Sequence, residues 1–183
     1  MRLFIAVPVP EELKDNVVEI QKRLAGISGI KAVEKENLHF TIKFLGEIGE
    51  EKMPEIKNAI EKGCANSKPF EIGIVGIAAF PSKSRARVVW LSVGNGLEEF
   101  KRLMENIDEK LSQVGFAKEK EYIPHLTLAR VRSGSSGTEL GKMLERIGQT
   151  QTGTMRVKEV KLVKSTLSKA GPFYEEVYSV KLE

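Results

Sequence analysis

At 183 residues, with 41% hydrophobic and 30% charged side chains, the chain can build a proper core as one domain or two small lobes. Its single cysteine, Cys64, excludes an intrachain disulfide, and no run approaches the ~20 apolar residues of a membrane span. The net charge of +4 suits an anionic partner without requiring one, so the expectation is a soluble cytoplasmic protein with no membrane contact.

The chain opens with an apolar strand from Arg2 to Val9. A helix is predicted from about Glu11, with Leu13, Val17, Ile20 and Leu24 on one face and Glu11 and Glu12 in the first turn, where negative charge is favoured. A strand around His39 follows, then a helix over 50–64 with Met53, Ile56, Ile60 and Cys64 as its stripe, and a strand over 70–80 closed by Pro81. The order then repeats. A strand over 87–93 and a break at Gly94-Asn-Gly96 lead into a helix bearing Leu97, Phe100, Leu103, Met104, Ile107, Leu111 and Val114. The His125 strand comes next, then a natural loop at Ser133–Gly137 and a helix with Leu140, Met143, Leu144 and Ile147. Strands over 154–163 and 174–182 finish the chain.

Phe4 maps near Val89, His39 to His125 and Phe70 near Met155, which points to an internal duplication with halves of roughly 1–84 and 85–183. The expected fold is α+β. It is bilobal, with two antiparallel-rich sheets facing a central groove and helices on the outer faces.

Only two histidines occur, and each opens the same pattern: His39-Phe40-Thr41 and His125-Leu126-Thr127. Threonine fills 7 of the 183 positions, so chance would give both histidines this neighbour about once in several hundred tries. Side chains at i and i+2 leave the same face of a strand, so each half offers an imidazole beside a hydroxyl. In the first strand Leu38, Phe40, Ile42 and Phe44 form an apolar face, opposite His39, Thr41 and Lys43. In the second, Leu126 and Leu128 lie opposite His125 and Thr127.

Two such pairs suit acid–base chemistry on a phosphodiester: one imidazole takes the proton of water and the other protonates the departing alkoxide. The hydroxyls of Thr41 and Thr127 can donate to non-bridging oxygens, where charge builds. The scheme needs no metal or other cofactor. Zinc normally takes three or four protein ligands, and two histidines with one remote cysteine do not supply them. A nucleotide- or RNA-binding module that uses the same groove without turnover is the alternative from another class.

The paired motifs, the Phe44-Leu-Gly-Glu47 tail, Pro124, Arg2-Leu-Phe-Ile-Ala and the block Phe80-Pro81…Arg87-Val-Val-Trp-Leu91 resemble the 2H phosphoesterase superfamily. Within it they resemble the RNA 2′,3′-cyclic phosphodiesterases, also described as 2′–5′ RNA ligases. The resemblance implies hydrolysis of RNA 2′,3′-cyclic phosphate ends, tRNA fragments among them, to a 2′-phosphate. It implies His125 as proton acceptor and His39 as proton donor, and ligation as the same chemistry with a 5′-hydroxyl in place of water. The family pattern often has an arginine where Arg130 stands, although strand parity puts Arg130 on the face opposite His125 unless a bulge turns it. Lys43, on the face of His39, is a candidate phosphate contact. Lys83, Arg85 and Arg87 cluster beside a turn and are either candidate contacts for the RNA backbone or a plain charged loop, and Phe4, Tyr122 and Trp90 are aromatic candidates for base stacking or core residues. A monomer is expected.

Overall fold

A computed structural model describes residues 1–132 and 137–183. The expected loop at 133–136 lies outside the described residues; Gly137 already begins a helix. In chain order the elements are β1 (Arg2–Pro8), α1 (Glu11–Leu24), β2 (Ile30–Ala32), β3 (His39–Glu47), α2 (Met53–Cys64), β4 (Phe70–Phe80) and β5 (Val88–Val93). There follow α3 (Leu97–Ser112), β6 (His125–Val131), α4 (Gly137–Arg146), β7 (Gln151–Val157), β8 (Glu159–Ser168) and β9 (Gly171–Lys181).

The helices form where apolar residues recur at three and four. In α1, Leu13, Val17, Ile20 and Leu24 are buried. In α3 the buried stripe is Phe100, Leu103, Met104, Ile107 and Leu111, and a charged residue, Asp108, is buried beside it. Helix α2 lies so close to α3 that a Cβ on Gly63 would stand 2.6 Å from Ile107 Cα.

All strand pairs are antiparallel, in the order β7-β4-β5-β6-β3-β1-β8-β9, with β2 added to β6. The two half-sheets of the expected fold are thus continuous, joined by the single pair Phe40–Leu126 between β3 and β6. About that seam β3 corresponds to β6 and β1 to β5, as the motif spacing implies. β4 occupies the place opposite β8, and a shift of about 85 residues carries 70–80 onto 155–165, which lies mostly in β8.

The region expected as one strand over 154–163 is two. Met155 and Val157 are buried at odd positions, whereas Val160 and Leu162 are buried at even ones. The alternation slips at Lys158, where the chain leaves β7 on one edge of the half-sheet and enters β8 beside β1. The short edge strand β2 has only three residues, two of them exposed, too few for alternation to announce it.

Candidate active site

Phe40 and Ile42 on β3, with Leu126 and Leu128 on β6, are buried in the main core. The intervening His39, Thr41, His125 and Thr127 are half-buried and line one cavity of about 310 Å³. Both motifs therefore reach one groove, on opposite sides of the β3–β6 seam.

Each imidazole is fixed by a backbone carbonyl two residues earlier. The Nδ1 of His39 bonds the Asn37 carbonyl at 2.6 Å, and the Nδ1 of His125 bonds the Ile123 carbonyl at 2.8 Å. A carbonyl oxygen only accepts, so Nδ1 must carry hydrogen in both rings and Nε2 is left to exchange protons. His39 Nε2 lies 2.9 Å from the Thr41 hydroxyl. Among the described residues no such bond joins His125 to Thr127.

Aromatic rings pack against each histidine. Phe4 and Tyr174 stand 4.9 and 5.5 Å from the His39 ring, and Phe80 and Trp90 stand 5.6 and 5.7 Å from that of His125. Burial among these groups pushes the His39 imidazole below its ordinary value. The bond to the Asn37 carbonyl opposes that shift, and a positive charge on His125 adds to it. The two rings therefore disfavour being charged together.

The residues after each threonine depart from simple alternation. Thr41 and Lys43 of β3 face consecutive residues of β1, Ala6 and Ile5, so Ile42 is an extra residue in a bulge. Thr127 and Ala129 face consecutive residues of β5, Trp90 and Val89, so Leu128 is its counterpart. A bulge reverses the facing of everything beyond it. Arg130 thereby joins the groove face and lines the cavity, and so does Phe44, which is 66% exposed despite its expected place in the core.

Lys43 goes the other way. Its expected place beside His39 and Thr41 is corrected by the bulge, which turns it to the helix side with its side chain only 4% exposed. There Nζ bonds Asp108 Oδ1 at 2.6 Å, the Ala117 carbonyl at 2.7 Å and Glu119 Oε1 at 3.1 Å. With these bonds made, Lys43 is not a phosphate ligand in the groove.

The remaining candidates are also sorted. Lys83 to Arg85 form a single helical turn that does not line the histidine cavity, and Arg87 does not line it either. Phe4 and Trp90 are buried beside the histidines, and Tyr122 gives its hydroxyl to Asp108. Sequence reasoning passed over Asn37, Phe44 and Tyr174, all on the cavity wall. Asn37 carried a signal in its position two residues before a motif histidine; Phe44 carried a misleading one.

The model of the LigT-like phosphoesterase family matches residues 7–90 and 92–174. An RNA 2′,3′-cyclic phosphodiesterase of Methanocaldococcus jannaschii is 42% identical over 178 residues, covering 97% of this chain and 98% of the relative. The protein of the same name from Methanothermobacter thermautotrophicus is 40% identical, covering 97% and 96%. Among solved structures, TT0787 of Thermus thermophilus superposes with a TM-score of 0.85 at 29% identity, over 100% of this chain and 98% of that one. Escherichia coli LigT complexed with 3′-AMP shares the fold at a TM-score of 0.78 and 21% identity, over 99% and 97%. Matched over both halves, each with its own His-x-Thr strand, the chain belongs to the LigT-like phosphoesterase family.

Proposed function

We propose that the chain hydrolyses 2′,3′-cyclic phosphate ends of RNA to 2′-phosphates by two-histidine acid–base catalysis. One observation carries the reading: two imidazoles with matching Nδ1 anchors line a single groove, and those anchors leave both Nε2 atoms to exchange protons. The names of full-length relatives 40% identical or more supply the substrate class.

His125 Nε2 takes a proton from water as its oxygen attacks phosphorus, in line with the P–O3′ bond. That bond breaks and O3′ takes the proton of His39 Nε2, leaving the phosphate on O2′. Thr41 and Thr127 donate to the non-bridging oxygens, and Arg130 pairs with their growing charge. With an RNA 5′-hydroxyl in place of water the same proton transfers form a 2′–5′ linkage. The 2′,3′-cyclic phosphate ends of tRNA fragments are of this substrate class, and the buried lone thiol of Cys64 suits work in a reducing cytoplasm.

The test is a short RNA with a 2′,3′-cyclic end, incubated with EDTA and analysed for the phosphate isomer formed. Conversion to the 2′-phosphate is expected. A 3′-phosphate product would reverse the leaving oxygen, and binding without turnover would leave a nucleotide-binding module in its place.

A further inference from the structure

Residues 117–124 lead directly into His125 yet form neither helix nor strand. Among the described residues, no backbone–backbone hydrogen bond of a turn or loop holds them. Their anchors are side chains. Lys43 on β3 bonds the Ala117 carbonyl and the Glu119 carboxylate, while Asp108 Oδ2 on α3 accepts from the Glu119 N–H and the Tyr122 hydroxyl, each at 2.8 Å. The Lys43–Asp108 pair at the centre is buried, with 4% and 2% of its side chains exposed. Burial would raise the Asp108 carboxyl, but bonds from Lys43, the Glu119 N–H and Tyr122 outweigh it and hold it below its ordinary range.

Tyr122 immediately precedes Ile123, whose carbonyl fixes the His125 ring, and Pro124 then restricts Ile123 to extended backbone. His39 is served differently: its carbonyl comes from Asn37, in a helical turn whose N–H bonds Glu34 and whose side chain bonds the Pro172 carbonyl. Lys43 also follows the bulge that ends the first motif, so one buried pair ties β3 to the approach of the second histidine across a seam of a single strand pair.

From this geometry we propose that Lys43, Asp108 and Tyr122 are positioning residues for His125. They hold residues 117–124 so that the Ile123 carbonyl keeps the imidazole in its Nδ1–H tautomer, with Nε2 free to accept a proton. The consequence for rate rests on the proposed role of His125 as base.

The tautomer can be read without activity, by ¹⁵N–¹H correlation spectra of the side chains at pH 8, where only two histidines contribute. Tyr122→Phe is expected to convert His125 from one Nδ1–H species to a mixture while His39 keeps its pattern. It should lower kcat roughly tenfold with KM little changed, since misplacement of a proton acceptor acts on the chemical step. A second variant guards against collapse: Lys43→Met with Asp108→Leu replaces the whole buried pair by apolar groups, an exchange that folds tolerate. It should fold and give the same mixed tautomer. A single Nδ1–H species for His125 in both variants overturns the proposal. A mixed tautomer with unchanged kcat keeps the positioning network and overturns the assignment of His125 as the base.

Discussion

In the groove each imidazole donates Nδ1–H to the carbonyl two residues before it, and each is followed two residues later by a hydroxyl. The three-residue motif is therefore a five-residue unit in space. The histidine and threonine were legible because the side-chain period of a strand is two and because the chain has no other histidines. The carbonyls carry no side-chain signature and were not. Replacing either histidine by glutamine should lower kcat by about 10²–10⁴, the usual worth of a general acid or base, and single-turnover rates with cyclic-ended RNA measure it. His39 also bears on stability. Its burial lowers the folded pKa below the ordinary ~6.5 of the unfolded chain, so between those values the unfolded chain binds more protons. Stability should accordingly rise with pH through that window and be lost on acidification below about pH 6.5. Urea midpoints at pH 7.5 and 5.5 should differ in the wild type and differ less in His39→Gln.

On the scale of elements, two bulges decide what the groove contains. Alternation put Phe44 inside, Lys43 at the phosphate and Arg130 on the wrong face; one extra residue at Ile42 and one at Leu128 reverse all three. A bulge is a register relation between two strands, and the composition of one strand does not encode it. Helices were more transparent, since their burial follows a single stripe; the close approach of α2 to α3 at Gly63 needed coordinates. Gly63→Ala should destabilise the fold by about 1–3 kcal/mol through overpacking against Ile107, seen as a lower urea midpoint with the groove chemistry intact. Arg130→Ala should raise KM for RNA and reduce the slope of log KM against log salt by about one phosphate contact. An unaltered salt slope would remove Arg130 from the RNA contacts.

For the molecule as a whole, a continuous antiparallel sheet with its seam at Phe40–Leu126 brings two motifs 86 positions apart in sequence to one cavity. The repeat was visible in spacing, while the exchange of β4 and β8 between half-sheets was not, because pairing partners far apart in sequence leave no local mark. Lys83, Arg85 and Arg87 do not line the histidine cavity, and a charge cluster in sequence does not say which surface it reaches. In the proposed mechanism the arrangement about the seam offers one histidine to the entering oxygen and one to the leaving oxygen, as an in-line displacement requires.

The pH dependence of kcat/KM on cyclic-ended RNA tests that central claim most directly. The account predicts a bell whose two apparent pKa values belong to the coupled pair. The alkaline limb should vanish in His39→Gln, which lacks the acid, and the acidic limb in His125→Gln, which lacks the base. A profile flat between about pH 5 and 8, or a single-histidine variant that keeps the wild-type bell, would contradict it.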